Sequence, residues 1–469
     1  MAFSEVPILD LALASDPATK PAFLADLRHA LMEVGFLYLK NVGIPDELFA
    51  DVIREGKAFF DIPQEEKSVL THPYPRLLSL STPSFIPIRP QILWNLVQMT
   101  LHQKNYFLLL SSPLLRVLEF QIPTTNTQEG ESNRLKIEMK NAPSFLGYSQ
   151  LSAEITAGAV DHREQIDLST EHPVPGPGAP AHHNLLAPNQ WPSGDVLPRF
   201  RPVFTEYMRR MGAVSIRFTS LIAEAVGLPP SAFDKYFNEG PRQQHKLKVV
   251  KYPDVAELGL GVAAAGRGQG VGPHKDSMLT SYLLQASAHR GLQVQNMRGE
   301  WIDCPPVAGT LVVAIGQGLE ALTQGVCCST THRVLSPAAG EGARFSIPFF
   351  QGVRGDATFE DLETVGVGEV PAAVRAQRAA VLERNGGRLD DVEFTFRKGG
   401  VAKTLGEATL RNRVKSHPDV GERWYPDILR DIREQQAREA REKERMSKAG
   451  DSGSAGGAND TQPAAVEAH

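Results

Sequence analysis

Val271-Gly272-Pro273-His274-Lys275-Asp276-Ser277-Met278-Leu279-Thr280-Ser281-Tyr282-Leu283-Leu284 sets a His-x-Asp pair directly ahead of an apolar, strand-forming run. In extended backbone residues i and i+2 project to the same side, so the His274 imidazole and the Asp276 carboxylate can share one metal ion. The run does not stand alone. Segments 279–284, 291–295, 311–315, 331–335 and 345–350 all carry strand periodicity, separated by Gly and Pro turns. A parallel doubly wound sheet would need a helix between successive strands, and none is legible here. The spacing therefore predicts an all-β core over 246–353, a barrel or jelly roll.

Upstream of the core, a short apolar run at 7–9 precedes Phe23, Leu27 and Leu31, whose spacing of four puts them on one helix face. A strand at 36–39, turn residues Asn41 to Pro45 and a helix near 46–60 follow. Residues 173–196, rich in Pro, Gly, His and Asn, read as a loop, and 199–226 as a long helix. The fold class predicted is mainly β with flanking helices. Six segments result: 1–67 and 135–245 as an N-terminal part in two pieces, 68–134 as an anomalous insertion, 246–353 as the core, 354–448 as a C-terminal helical extension, and 449–469 as a disordered tail.

The insertion stands out by its composition. Between Ser68 and Arg134 the only acidic residues are Glu119, Glu129 and Glu131, and prolines at 73, 75, 83, 87, 90, 113 and 123 break every candidate helix. A folded surface normally mixes both charge signs. Together with its abrupt edges, this suggests translated non-coding sequence, a retained intron, with a lineage-specific insertion as the alternative.

Composition narrows the function classes. Hydrophobic residues at 42% and charged residues at 22% are the balance of a globular protein, and a net charge of -5 gives no electrostatic reason for nucleic acid or anionic membrane as a partner. The most apolar stretch, 92–120, is interrupted by His102, Gln103, Lys104 and Asn105, so no membrane span is expected. Residues 1–20 carry Asp10 and Asp16 and lack a secretory pattern. The three cysteines, Cys304, Cys327 and Cys328, have neither disulfide-framework count nor CxxC spacing. A cytoplasmic monomer acting on a small molecule is expected.

With 13 histidines in the chain, one His-x-acid pair is weak support for a metal site, and His162-Arg163-Glu164 is another. A third candidate strengthens the first pair: His332, in the β-prone Ser329-Thr330-Thr331-His332-Arg333-Val334. Two histidines and a carboxylate form a facial triad that leaves adjacent coordination positions open, an arrangement suited to iron(II). A closed structural zinc site would need a fourth ligand, whereas a three-ligand catalytic zinc fits the same residues. Further on, in Arg344-Phe345-Ser346, Arg and Ser face one way along a strand, and a guanidinium with a hydroxyl forms a carboxylate clamp.

The order His-x-Asp, His, Arg-x-Ser resembles the isopenicillin N synthase-like branch of the iron(II)/2-oxoglutarate-dependent dioxygenases. Lys251-Tyr252-Pro253, Gly291-Leu292-Gln293-Val294, Gly299-Glu300-Trp301-Ile302, Pro305-Pro306 and residues 316–320 look like family segments in family order. Gly35-Phe36, Asn41 to Pro45, Phe59-Phe60 and Pro63 to Lys67 are similar to the region that precedes the family's catalytic core. The resemblance covers about 6–67 and 135–353. It implies a double-stranded β-helix (jelly roll) core, iron(II) bound by His274, Asp276 and His332, and the distal carboxylate of 2-oxoglutarate bound by Arg344 and Ser346 with help from Tyr252. Decarboxylation of 2-oxoglutarate would then be coupled, through O2, to hydroxylation, desaturation or cyclisation of a small organic molecule. Val250 and Ala314-Ile315-Gly316-Gln317 depart from the common family text, which weakens transfer of substrate identity but not of metal binding. Two other readings remain: an oxidase of the same fold that uses no 2-oxoglutarate, and a catalytically silent binding protein.

Overall fold

The computed structural model describes residues 2–62, 137–156, 158–237, 243–259, 268–358, 361, 369–387 and 401–453. The insertion expected at 68–134 and the tail beyond residue 453 lie outside the described residues. In chain order the strands are β1 (Ile8–Asp10), β2 (Phe36–Lys40), β3 (Gly147–Ser149), β4 (Ile155–Thr156), β5 (Ala159–Val160), β6 (Glu164–Ser169), β7 (Lys246–Tyr252), β8 (Gln269–His274), β9 (Thr280–Gln285), β10 (Leu292–Gln295), β11 (Trp301–Asp303), β12 (Thr310–Ile315), β13 (His332–Leu335) and β14 (Arg344–Phe350). The helices are α1 (Lys20–Glu33), α2 (Asp46–Asp61), α3 (Phe200–Ala225), α4 (Gln317–Leu322), α5 (Ala372–Arg384), α6 (Leu405–Ser416), α7 (Pro418–Trp424) and α8 (Pro426–Gly453).

Two sheets make the core. The larger has eight strands in the order β1-β2-β12-β9-β14-β7-β6-β3, and the smaller has four in the order β11-β10-β13-β8. Strands from the N-terminal part thus extend the same sheet that the core strands build. Along β7 the alternation is clean: Val250 and Tyr252 join Val271, Leu292, Val294 and Val334 between the sheets, while Val249 and Leu247 are buried on the other face. That other face carries the helices. Gly56 brings α2 close to it, since a Cβ there would stand 3.0 Å from Val249 Cγ1 and 3.3 Å from Ile347 Cδ1. The predicted helix face of Phe23, Leu27 and Leu31 is buried in α1, which is tied to α3 by the Lys20–Glu224 ion pair at 2.7 Å.

One helix inside the core escaped the sequence reading. Between β12 and β13 the six residues of α4 form a short helix behind Gly316. At under two turns it is too brief to show a period of 3.6. The C-terminal helices have a small core of their own: Leu410, Val414, Val420, Tyr425, Leu429 and Ile432 pack against Met139, Phe145 and Leu185. Tyr425 stacks on Phe145 with ring centroids 5.7 Å apart and donates its hydroxyl proton to the Pro143 carbonyl at 2.6 Å.

Candidate active site

The pairing of β8 with β13 brings His274 and His332 together as register partners, with ring centroids 4.2 Å apart. Asp276 follows in the turn just past β8, and each Nε2 lies 3.8 Å from its Oδ1. One ligand atom from each of the three residues falls within 4.8 Å of the others, the only such His/Cys/Asp/Glu group among the described residues. Both rings are oriented from behind. The Nδ1 of His274 is 2.8 Å from the Gly272 carbonyl and that of His332 is 3.2 Å from the Thr330 carbonyl. Each Nδ1 therefore carries the proton as donor, leaving an Nε2 lone pair aimed inward. Burial, reinforced by His332, pushes the His274 imidazole down to about 3, so it is neutral and free to ligate at ordinary pH.

Asp276 is held from two directions. The Ser281 hydroxyl donates to its Oδ2. Its turn is stapled by the segment that opens α4: the backbone N–H groups of Gly316, Gln317 and Gly318 donate to the carbonyls of Leu279, Asp276 and Met278 at 2.9, 2.7 and 3.2 Å. A Cβ on Gly316 would stand 1.9 Å from the Met278 oxygen, so the approach requires glycine.

The larger sheet faces this trio with Arg344, whose register partner on β7 is Tyr252. Arg344 is 1% exposed, and its guanidinium lies 5.1 Å from the centroid of the Tyr252 ring. Its Nη2 donates to Gln285 Oε1 at 3.3 Å, while Nε and Nη1 have no partner. Burial lowers the basicity of the group, yet a guanidinium stays charged. A buried guanidinium with two nitrogens free of protein partners has the donors and the charge to take a carboxylate. Ser346, also buried, faces the same way one step along β14. Gly270 makes room for Tyr252, since a Cβ there would stand 2.9 Å from its ring.

Beside Tyr252 runs a row of charges that the sequence reading missed. On β6 Gln165 pairs with Val250 and Asp167 with Lys248, placing Gln165, Asp167 and Lys248 on the same inward face as Tyr252. Asp167 accepts from Arg413 at 3.1 Å and lies 3.6 Å from Lys248. Glu154 pairs with Arg163 and Lys248. Although burial opposes it, Arg163 and Lys248 hold the Glu154 carboxyl far below its ordinary range. Asp161 ties this network to the strand that carries His274, through the Gly272 N–H at 3.2 Å. The alternation Gln165-x-Asp167 and Lys246-x-Lys248 was the available signal, but its partners are distant in sequence. The other His-x-acid pair is engaged elsewhere: His162 lies 3.4 Å from the Ser152 hydroxyl, and Glu164 accepts from Tyr148.

All three cysteines are free, and burial pushes the Cys304 and Cys327 thiols up to about 12. Among the described residues no helix is long and apolar enough to cross a membrane.

Comparison with known proteins gives the family. Residues 245–353 match the 2OG-Fe(II) oxygenase superfamily, and residues 6–83 and 130–194 match the N-terminal region described as non-haem dioxygenase in morphine synthesis. The chain is 56% identical to 2-oxoglutarate-dependent dioxygenase frbJ of Dothideomycetidae sp. (strain 11243), over 93% of this chain and 97% of that one. It is 32% identical to a 2-oxoglutarate-dependent dioxygenase of Gibberella zeae, over 93% and 95%. A full-length Neurospora crassa protein, solved in complex with alpha-KG and 5-formyluracil, shares the fold, with a TM-score of 0.55 and 19% identity over 88% of this chain and 96% of that one. The chain belongs to the 2-oxoglutarate-dependent dioxygenases of the 2OG-Fe(II) oxygenase superfamily, built on the double-stranded β-helix and using iron(II), 2-oxoglutarate and O2 to oxidise a small organic molecule.

Proposed function

We propose that His274, Asp276 and His332 hold the iron, and that Arg344, Ser346 and Tyr252 receive the distal carboxylate of 2-oxoglutarate. The observation that carries the assignment is the convergence of two inward-facing Nε2 atoms and one carboxylate oxygen within 4.8 Å, opposite a buried guanidinium with two unpartnered nitrogens. Iron(II), when bound, supplies the site for the 2-oxo acid and O2, whose reaction oxidises a carbon of the substrate. The chain's own share is placement. The Gly272 and Thr330 carbonyls fix the imidazoles, Ser281 and the Gly316–Gly318 staple fix the carboxylate, and Arg344 sets the direction of the cosubstrate across the space between the sheets. The apolar walls of Val271, Leu292, Val294 and Val334 keep water from it. The test is anaerobic iron loading of His332→Ala: loss of stoichiometric iron with the melting temperature little changed is expected, and retained iron would remove His332 from the ligand set.

Finer readings accompany this one. We infer an isopenicillin N synthase-like branch, supported by Arg344-x-Ser346 on the strand that pairs with Tyr252, and a reducing, cytoplasmic setting, supported by three free cysteines. The net charge of -5 supports the expectation of no nucleic-acid partner, and a monomer is our reading of the assembly. Residues 68–134 are proposed to be an insertion. Support comes from the interruption of the N-terminal family match between residues 83 and 130 and from the nearness of its flanks: Phe59 in α2 and Tyr148 have ring centroids 5.9 Å apart, and the Tyr148 N–H donates to the Ile137 carbonyl at 2.8 Å.

A further inference from the structure

Lys246 opens β7 on the inward face it shares with Lys248, Val250 and Tyr252. Its Nζ donates to the Leu185 carbonyl at 2.7 Å. Lys248 has Asp167 at 3.6 Å and Glu154 at 3.8 Å, but among the described residues no carboxylate lies within 4 Å of Lys246. Around it the cations Lys246, Lys248, Arg163 and Arg413 face the anions Glu154, Asp161 and Asp167, and Asp356, a carboxylate on the cavity wall, has its own partner in Arg354 at 3.3 Å, so one positive charge of this group is in excess. The unmatched one borders a cavity of about 310 Å³, whose other walls include His182, Met278, Leu405, Gly406 and Thr409. None of the three proposed ligands lines this cavity; Met278, two residues past Asp276, is the wall residue nearest to them in the chain. The registers Lys246–Phe350 and Phe350–Ser281 put Lys246 two strands, roughly 10 Å, from the serine that holds Asp276.

We propose that Lys246 receives the carboxylate of the primary substrate, which is therefore a small carboxylic acid that presents a different carbon to the iron side of the cavity. This rests on the site described under Proposed function and adds the class of molecule it oxidises. Burial, together with the nearby Arg413, pushes the Lys246 ammonium down to about 7. An unpaired lysine held there destabilises the free protein, and an apolar residue would be tolerated better unless an anion arrives to match the charge. A carboxylate entering the cavity would complete the pairing that Asp167 and Glu154 give Lys248. Wall atoms from α6 and from 181–185 then set how large an acid fits.

The test uses the anaerobic holoenzyme loaded with iron(II) and stoichiometric 2-oxoglutarate. Straight-chain carboxylates from propanoate to octanoate, and phenylacetate, are titrated by calorimetry, each beside its primary amide. At least one acid should bind tenfold or more tightly than its amide. Lys246→Met should remove that preference, and Lys246→Arg should keep it. The wild-type comparison needs no variant, so a folding defect in Lys246→Met cannot mask the answer. Equal affinity of every acid and its amide, or a preference that survives Lys246→Met, would overturn the proposal. The visible charge-transfer band of 2-oxoglutarate chelated to iron(II) reports the underlying reading separately. A band without acid preference sinks only the Lys246 assignment, and acid preference without a band sinks the iron site while leaving Lys246 as an anion anchor.

Discussion

Replacing Arg344 by lysine tests the cosubstrate assignment most directly. The guanidinium is 1% exposed, spends only Nη2 on Gln285, and leaves Nε and Nη1 without partners. A carboxylate docked there gains charge-assisted hydrogen bonds worth about 1.5–3 kcal/mol each. Lysine keeps the charge but presents a point donor in place of the planar fork, so at least one such bond is lost. At about 1.4 kcal/mol per decade this raises the dissociation constant for 2-oxoglutarate roughly 10- to 150-fold. Iron affinity should be unchanged, because Arg344 lies on the sheet opposite the triad. Anaerobic titration of 2-oxoglutarate into iron-loaded protein, followed by the charge-transfer band, measures the first quantity, and metal analysis measures the second. An Arg344→Lys protein that binds 2-oxoglutarate within twofold of the wild type would refute the clamp. If the variant weakens only the organic substrate, Arg344 holds that substrate and another group holds the 2-oxo acid.

Asp276→Glu should lose stoichiometric iron, because an added methylene moves the carboxylate by more than the ~0.2 Å tolerance of a ligand distance; normal iron content would count against the geometry. Ser281→Ala removes the donor to Asp276 Oδ2 and should weaken iron binding about 10- to 100-fold without unfolding the protein; competition with a chelator reads this, and an unchanged affinity would leave the Gly316–Gly318 staple as the sole orienting device. Gly316→Ala must displace the Met278 carbonyl, 1.9 Å from the new Cβ, and should lower both iron affinity and melting temperature. Deleting 68–134 should give a more soluble protein with the site intact, because closing a loop changes by only about 0.6 kcal/mol per doubling of its length, while apolar runs such as Leu108-Leu109-Leu110 promote aggregation. Loss of folding on deletion, together with a transcript encoding these residues, would establish the segment as native.

Legibility in the sequence followed the range of the interactions. His274 and Asp276 were legible as a pair by their separation of two although Asp276 falls in the turn past β8, whereas Arg344 and Ser346 alternate on one strand, so strand periodicity placed them on a common face. The five strand segments, the helix at 199–226 and the face of Phe23, Leu27 and Leu31 were readable for the same reason. His332 was recoverable only as a third residue of the right chemistry; its meeting with His274 is a cross-strand event between segments far apart in the chain. The charged row was hidden because Glu154, Arg163, Asp167, Lys248 and Arg413 each look like ordinary surface residues in their own neighbourhoods, and only the sheet register and the docking of α6 turn them inward. Helix α4 was hidden by its length, and the staple it provides by the fact that backbone donors leave no trace in residue type.

The wall contributed by α6 divides the labour of this enzyme between separate stretches of chain. The proposed ligands of iron and 2-oxoglutarate lie between Tyr252 and Ser346, whereas Leu405, Gly406 and Thr409 line the cavity from a helix that contributes none of them. Gly406 sits so tightly that a methyl group in place of its hydrogen would fall 2.6 Å from the His182 ring and 2.8 Å from the Gly355 carbonyl. If the cavity takes the substrate, its size can be altered at Leu405 and Thr409 without touching the barrel, whereas Gly406 and Arg413 on the same helix are fixed by the close approach to His182 and by the ion pair with Asp167.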